Sequence, residues 1–335
     1  MRRKGKNRTI FLFKIIEGDI MLRNTAFFQG SHRTKRYFEG WYFKCISADR
    51  KHAIAVIPGM AIDPKGKRHS FVQVINAVSG KTWYYHFPYS EFCSPSDSFA
   101  VLVGQNSFGP DGLSLDIDTD EGRIKGDLAF TDIHSFPTSR FSPGIMGPFT
   151  FMPFMECYHG IIHLYHSLQG TIELGGEIMD FTGGVGYIEK DYGRSFPRTY
   201  LWLQASHFKP QGASFVFSQA RIPFLGGQFP GFFAYFTNFN DINVRFATYN
   251  RSRLSKWCVD AAAGTCSGEL TGPAGTLSFE ACMSGGGRLR APVDGLMDRE
   301  IIESITALVS VKLVSRHGDV LFEGSSSEAG MEICM

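Results

Sequence analysis

Apolar and polar residues alternate with a period of two along much of this chain. In LSLDIDTDEGRIKGDLAF (113–130), Leu113, Leu115 and Ile117 point one way, and Ser114, Asp116 and Asp118 the other. Asp120-Glu121-Gly122 turns the chain, and Ile124, Leu128 and Phe130 resume the apolar face. That pattern predicts a half-buried antiparallel hairpin. AIAVIPGMAID turns at 63–66 into HSFVQVINAV, which turns at 79–80 into KTWYYHF. Residues 159–182 read as strand, turn, strand. SFVFSQARI (214–222) is a strand stopped by Pro223, and LVSVKLVS turns at His317-Gly318-Asp319 into VLFEG. Strands recurring at about ten-residue intervals predict a sandwich or barrel. The best helix candidate is GLMDREIIESI (295–305) with Asp294 as N-cap, the alternative being a run straight into the following strand.

Two stretches depart from alternation. SFPTSRFSPGIMGPFTFMPF (135–154) is too apolar for a solvated linker and is expected to be a long ordered loop, either a lid over a pocket or a plug for a barrel end. A basic cluster, Arg2, Arg3, Lys4, Lys6 and Arg8, precedes FLFKII. It is read as a disordered extension (1–24), with Met21 as an alternative start; a targeting or membrane-surface segment is the other reading, which leaves room for peripheral membrane contact. The Gly-rich turn at 183–186 then separates a first β-domain (25–182) from a second (183–335).

Composition narrows the class. Hydrophobic residues make up 43% and charged residues 20%, which suits a folded globular chain. The 31 Phe and 37 Gly favour β architecture with a wide apolar interior. A net charge of +2 offers no concentrated basic face for nucleic acid. Seven cysteines without CxxC spacing argue against a disulfide framework or structural zinc, and for a reducing cytoplasm. No apolar run reaches spanning length.

The densest candidate chemistry is GGVGYIEKDYGRSFPRTYLWLQASHF (183–208). On a strand, Tyr187, Glu189 and Asp191 share one face, and Ile188 and Lys190 the other. Two carboxylates on one face repel, and partial burial raises the pKa of one, giving an acid able to donate near neutral pH. Tyr200, Trp202 and Gln204 also share a face and would bring π-faces to that acid. The bland alternative is a salt-bridge cluster in which Lys190 and Arg194 neutralise the carboxylates. In YFEGWYFK (37–44), Glu39 lies among aromatics, either desolvated as an acid or paired with a distant cation. His159, His163 and His166 suggest a metal face only on a helix; on a strand His159 and His163 share a side and His166 does not, so hydrogen-bonded histidines are the expectation. No nucleophile elbow, dinucleotide fingerprint or P-loop occurs.

Taken together, YFEGWYFK (37–44), MECYHG (155–160), HSLQG (166–170), DFTGGVGYIEKDYGRSFPRTYLWLQASHF (180–208) and GLMDREIIESI (295–305) resemble the tocopherol cyclase family, from about residue 27 onward. Without the insertions and transit peptide of plant members, the chain looks like a bacterial branch. The resemblance implies two calycin- or lipocalin-like antiparallel β-barrel or sandwich domains packed together, akin to those of carotenoid hydratases and some cyclising enzymes, with very little helix. It implies closure of a chromanol ring: a prenylated hydroquinol's side-chain double bond is protonated and the phenol oxygen attacks the cation, with no metal and no redox cofactor. Glu189 is the first candidate acid and Glu39 the second, with Asp191 tuning Glu189. Arg194 would anchor the quinol oxygen or the carboxylates, and Trp41 and Trp202 would flank the cation. Tyr187, Gln204 and His159 complete the expected substrate-binding set. Tyr192 replaces a Trp usual in the family, which implies a smaller or shifted pocket. A lipocalin-like isoprenoid binder without catalysis, and an isoprenoid hydratase, are the competing readings.

Overall fold

The computed structural model describes residues 24–139, 142–153, 155–210, 212–224 and 227–335. The expected basic extension therefore lies, but for its last residue, outside the described residues. Strands account for nearly all the regular structure, and the described residues contain no α-helix, only three short 3-10 turns. The period-two pattern is thus realised as two antiparallel sheets, one of twelve strands that curls into a nearly closed barrel and one of ten.

The centre of the first sheet carries the two motifs singled out above. Tyr37–Ile46 lies between Ala53–Ile62 and Val185–Gly193, and Val185–Gly193 in turn pairs with Cys157–Leu174. YFEGWYFK and GYIEKDYG are therefore hydrogen-bonded neighbours, with Trp41 opposite Lys190 and Tyr42 opposite Glu189. Both faces of these strands are covered. Trp41, Phe43 and Cys45 point into the barrel, where Phe43 tilts against Phe108 at 5.6 Å between centroids. Phe38, Gly40 and Tyr42 point out of the barrel towards the second sheet.

The second sheet begins at Tyr200–Ala205, flanked by Ser214–Phe224 and by Val320–Cys334, which pairs on with Leu296–Val314. Its strands also divide by parity. Leu201, Leu203 and Ala205 enter that sheet's own core, while Tyr200 and Trp202 pack with the first sheet's residues. The change of sheet falls between Gly193 and Tyr200, past the border expected at 183, because Val185–Gly193 still completes the first sheet. Gly193 makes that departure. Its φ is +150°, and a Cβ there would stand 2.3 Å from the carbonyl oxygen of Glu156, so a side chain is excluded where the chain leaves one sheet for the other.

Three local expectations are corrected. Residues 296–314 are a strand (Leu296–Val314), not a helix. Asp294 and Gly295 both have positive φ and form a hairpin turn, so Asp294 is no N-cap. The run that follows alternates except at Ser304, with Ile301, Glu303, Ile305, Ala307, Val309 and Val311 buried on one parity and Ser304 buried beside them. His163 does not share a side with His159: a bulge after Ile161 swings it against His166, with the Nδ1 atoms 3.3 Å apart. Tyr192, the replacement for the family's Trp, stacks on Tyr158 at 4.9 Å on the side of the sheet away from the inter-sheet space and does not line the cavity there.

Candidate active site

A cavity of about 170 Å³ lies between the sheets. Its walls are mainly aromatic and aliphatic, with Phe38, Phe71, Phe196, Phe233, Leu289 and Ile301 among them. Part of the apolar loop, within residues 142–153, contributes to its wall. Met146 and Phe149 line the cavity, the Tyr249 hydroxyl donates to the Ile145 carbonyl at 2.6 Å, and the His159 amide donates to Met146 Sδ.

Polar groups converge on this apolar space from both sheets. From the first come Glu189 and Asp191, two residues apart on one face as alternation requires, and His159, the direct cross-strand partner of Asp191. His159 sits between the two carboxylates, with Nδ1 3.0 Å from Asp191 and Nε2 3.4 Å from Glu189. Burial alone would strip this imidazole of its proton, but Glu189 and Asp191 more than offset that and hold its pKa up, at about 9. Glu189 Oε2 also accepts the Tyr187 hydroxyl at 2.6 Å and the Trp202 indole N–H at 3.1 Å. Burial pushes the Glu189 carboxyl upward, against the pull of His159 and with the help of Asp191.

From the second sheet come Glu303 and Glu332, which sequence reasoning missed. They are direct cross-strand partners, both buried and both on the cavity wall. The Tyr42 hydroxyl donates to Glu303 and the Tyr200 hydroxyl to Glu332. Burial pushes the Glu303 carboxyl well up and Glu332 reinforces the shift, while the Tyr42 bond opposes it. Glu332 is pushed up by burial and by Glu189, against the bond from Tyr200. Glu303 could have been found from its place between Ile301 and Ile305 on one face of an alternating run; reading that run at helical period concealed it.

The remaining expected residues fall elsewhere. Glu39 and Trp41 face the barrel interior, not the cavity. Glu39 is fully buried and ion-paired with Lys190 at 2.5 Å, and the Lys190 ammonium lies 4.4 Å above the Trp41 ring. Of the two cations expected to neutralise the carboxylates, Lys190 is buried and Arg194 is not. Arg194 is half-exposed and pairs with Glu156 and Asp294, both at 3.0 Å, so it anchors no carboxylate of the cavity. Gln204 is buried between the sheets but off the cavity, accepting from Lys44 Nζ and donating to Ser206. Tyr187 reaches the site only through its bond to Glu189. Of the nine expected residues, the fold gathers Glu189, Asp191, Trp202 and His159 on the cavity wall, with Tyr187 behind them.

Ligand atoms of His159, Glu189 and Asp191 lie within 4.8 Å of one another, so this trio could hold a metal ion. As it stands the imidazole bridges the two carboxylates, and both of its nitrogens face oxygen.

A family model described as tocopherol cyclase-like matches residues 140–335, more than half the chain and all the strands that carry the carboxylates and His159. The chain belongs to the tocopherol cyclase-like family. Among solved structures, CghA bound to Sch210972 is similar over 89% of this chain and 88% of its own, at 11% identity and a TM-score of 0.54. That likeness shows the fold alone. A putative AttH from Nitrosomonas europaea (12% identity, 94% of this chain and 95% of that one, TM-score 0.49) and kievitone hydratase from Nectria haematococca (10%, 93% and 93%, 0.49) are more distant in shape. No curated protein matches the sequence. Among the described residues, no helix is long and apolar enough to cross a membrane.

The buried ionisable groups of this family member set its pH response. Glu303 and Glu332 keep their protons to higher pH in the fold than in the unfolded chain, so the stability they confer is present at low pH and is lost as pH rises above the ordinary carboxylate range. His159 has the same sign and loses its contribution as pH rises towards about 9. His163, pushed down to about 4 by burial, has the opposite sign: its contribution is full above the ordinary histidine value and is lost as pH falls through 4. Lys44, pushed down to about 7 by burial, and Lys190, pushed down as well, oppose the glutamates and His159 above neutrality, adding stability as pH rises. The acid side carries the clearer expectation: the melting temperature should fall as pH drops from neutrality through about 4, where His69 and His163, both held down by burial, take up protons. Thermal melts across a pH series check this; a melting temperature that climbs steadily from neutrality down to about pH 4 contradicts it.

Proposed function

We propose that this protein is a cyclase that closes a chromanol-type ring on a prenylated hydroquinol or a related isoprenoid. A buried glutamic acid protonates the prenyl double bond, and the hydroquinol oxygen captures the tertiary cation. The observation that carries this reading is the meeting of buried glutamates from both sheets on the wall of one aromatic, largely apolar cavity. A carboxylic acid kept neutral by burial can donate a proton near neutral pH, and a dry cavity protects the cation from water. Trp202 and Tyr42, edge-to-face at 5.6 Å, supply ring faces suited to a passing positive charge. Family membership supports the reaction class, while the prenylated hydroquinol is our choice of substrate.

The test is incubation of the purified protein with a prenylated hydroquinol in D2O, followed by chromatography and mass spectrometry. The expected product is a chromanol isomeric with the substrate apart from one carbon-bound deuterium. An analogue with a saturated side chain should not react. Tight binding without turnover would make the protein a carrier, and a product heavier by one water would make it a hydratase; either result rejects the cyclase.

A further inference from the structure

Four carboxyl groups face the cavity, but cations reach only two of them. His159 touches Glu189 and Asp191. Among the described residues, no Lys, Arg or His nitrogen lies within 4.0 Å of Glu303 or Glu332. The buried ammonium of Lys44 is committed to Gln204 and to the Glu328 carbonyl. We propose that Glu303 and Glu332 share one proton and are the acid that delivers it to the substrate's double bond, while Glu189 stays a carboxylate. This rests on the cyclase reading above and assigns its proton donor.

The geometry separates the two sets of carboxyls. Glu189 Oε2 takes two hydrogen bonds and faces the imidazole, three groups that favour its anion against the burial that opposes it. Glu303 and Glu332 stand directly opposite each other on antiparallel strands, where facing Cβ atoms are about 4.5–5.5 Å apart. Each receives one phenol hydrogen bond, and Glu303 Oε2, fully buried, receives none from any donor. Two adjacent carboxyls out of water with no cation in contact do not both ionise, so the pair keeps a proton. The groups facing it from neighbouring strands are Tyr42 and Lys44, Glu189 and Asp191, His159, and Tyr200; the carboxylates add to the repulsion that retains the proton, while Lys44 favours ionisation of Glu303 and is outweighed by burial and by Glu332.

The step balances. The pair's O–H bond breaks and its proton forms a C–H bond with the electrons of the alkene, leaving a tertiary cation. The hydroquinol oxygen forms a C–O bond to that carbon and releases its own proton to the Glu189 carboxylate. Turnover closes when Glu189 gives up that proton to water and the pair takes one back from water as product leaves, so the net change is isomerisation, with no oxidant or reductant. Once the pair has given up its proton, the hydroxyls of Tyr42 and Tyr200 remain as donors to the new anion.

Infrared spectroscopy in D2O reads the shared proton without any substrate. A protonated-carboxyl band is expected at neutral pH in the wild-type protein, displaced in Glu303→Gln and in Glu332→Gln, lost in the double variant, and retained in Glu189→Gln. Absence of the band, or its survival in the double variant, overturns the proposal. In the chromanol assay each single variant should lose about 10²-fold in kcat with KM little changed, as removal of a general acid predicts. Circular dichroism and quenching of the tryptophan fluorescence by the hydroquinol would establish that fold and binding persist. Full activity in the double variant overturns the assignment but leaves the cyclase standing. A wild-type protein that shows the band but makes no chromanol refutes the cyclase reading, and the delivery step with it, while retaining the shared proton.

Discussion

Replacing Glu189 by Gln is expected to lower kcat for chromanol formation by about 10²- to 10³-fold, the effect of removing one preorganised charge from a desolvated site. Gln fills the same space and its amide oxygen can still accept from Trp202 and Tyr187, so binding and fold should change little. What disappears is the negative charge beside the cation and the acceptor for the hydroquinol's proton. His159 also loses one of the two carboxylates that hold its proton, so its pKa should drop. Steady-state kinetics, with an NMR titration of the imidazole, check both parts. An undiminished kcat would remove Glu189 from the chemistry. Glu39→Gln provides the contrast: Glu39 faces the barrel interior, so its replacement should cost stability and leave the rate per folded molecule alone.

Lys190→Met is expected to cost about 3–5 kcal/mol of folding stability, the usual consequence of stripping one partner from a buried ion pair. Both members of the Lys190–Glu39 pair are fully buried. Lys190 also donates to the Phe27 carbonyl and lies over Trp41, whose indole N–H donates to the Ala26 carbonyl at 2.9 Å. Glu39 accepts the Gln29 amide at 2.8 Å and the Tyr37 hydroxyl at 2.6 Å. The cluster thus ties residues 26–29 to the two central strands of the barrel. After Lys190→Met, Glu39 is left as a charge with no cation, whereas adding Glu39→Gln removes that charge and should recover much of the loss. Urea unfolding of the two single variants and the double variant measures this. A Lys190→Met protein within about 1 kcal/mol of wild type would contradict it.

The same cluster illustrates how far the chain could be read unaided. Period-two alternation places Tyr187, Glu189 and Asp191 on one face, and they are on one face. Alternation does not say which face meets the cavity, because the central strands are covered on both sides: in YFEGWYFK, Glu39 and Trp41 go to the barrel, and Gly40 and Tyr42 to the cavity. The Glu39–Lys190 pair joins residues far apart in sequence, and only strand order reveals it. His159 reaches Asp191 by register, and a bulge two residues later removes His163 from the same side. Glu303 was legible in principle but was hidden by a helix-like run of Asp, Arg and Glu after Gly295. Glu332, whose neighbours on its own face are Gly330 and Cys334, carries no such signal.

Hydrogen bonds cross between the sheets in both directions: Tyr42 of the barrel donates to Glu303, and Trp202 of the second sheet donates to Glu189. Each layer therefore holds the other's acidic group in place. A slight parting of the layers would admit water, ionise the glutamates and erase the chemistry while every strand stayed paired. Inactivation in mild denaturant should accordingly run ahead of any loss of β-structure, so that competence is a property of the seam rather than of either layer.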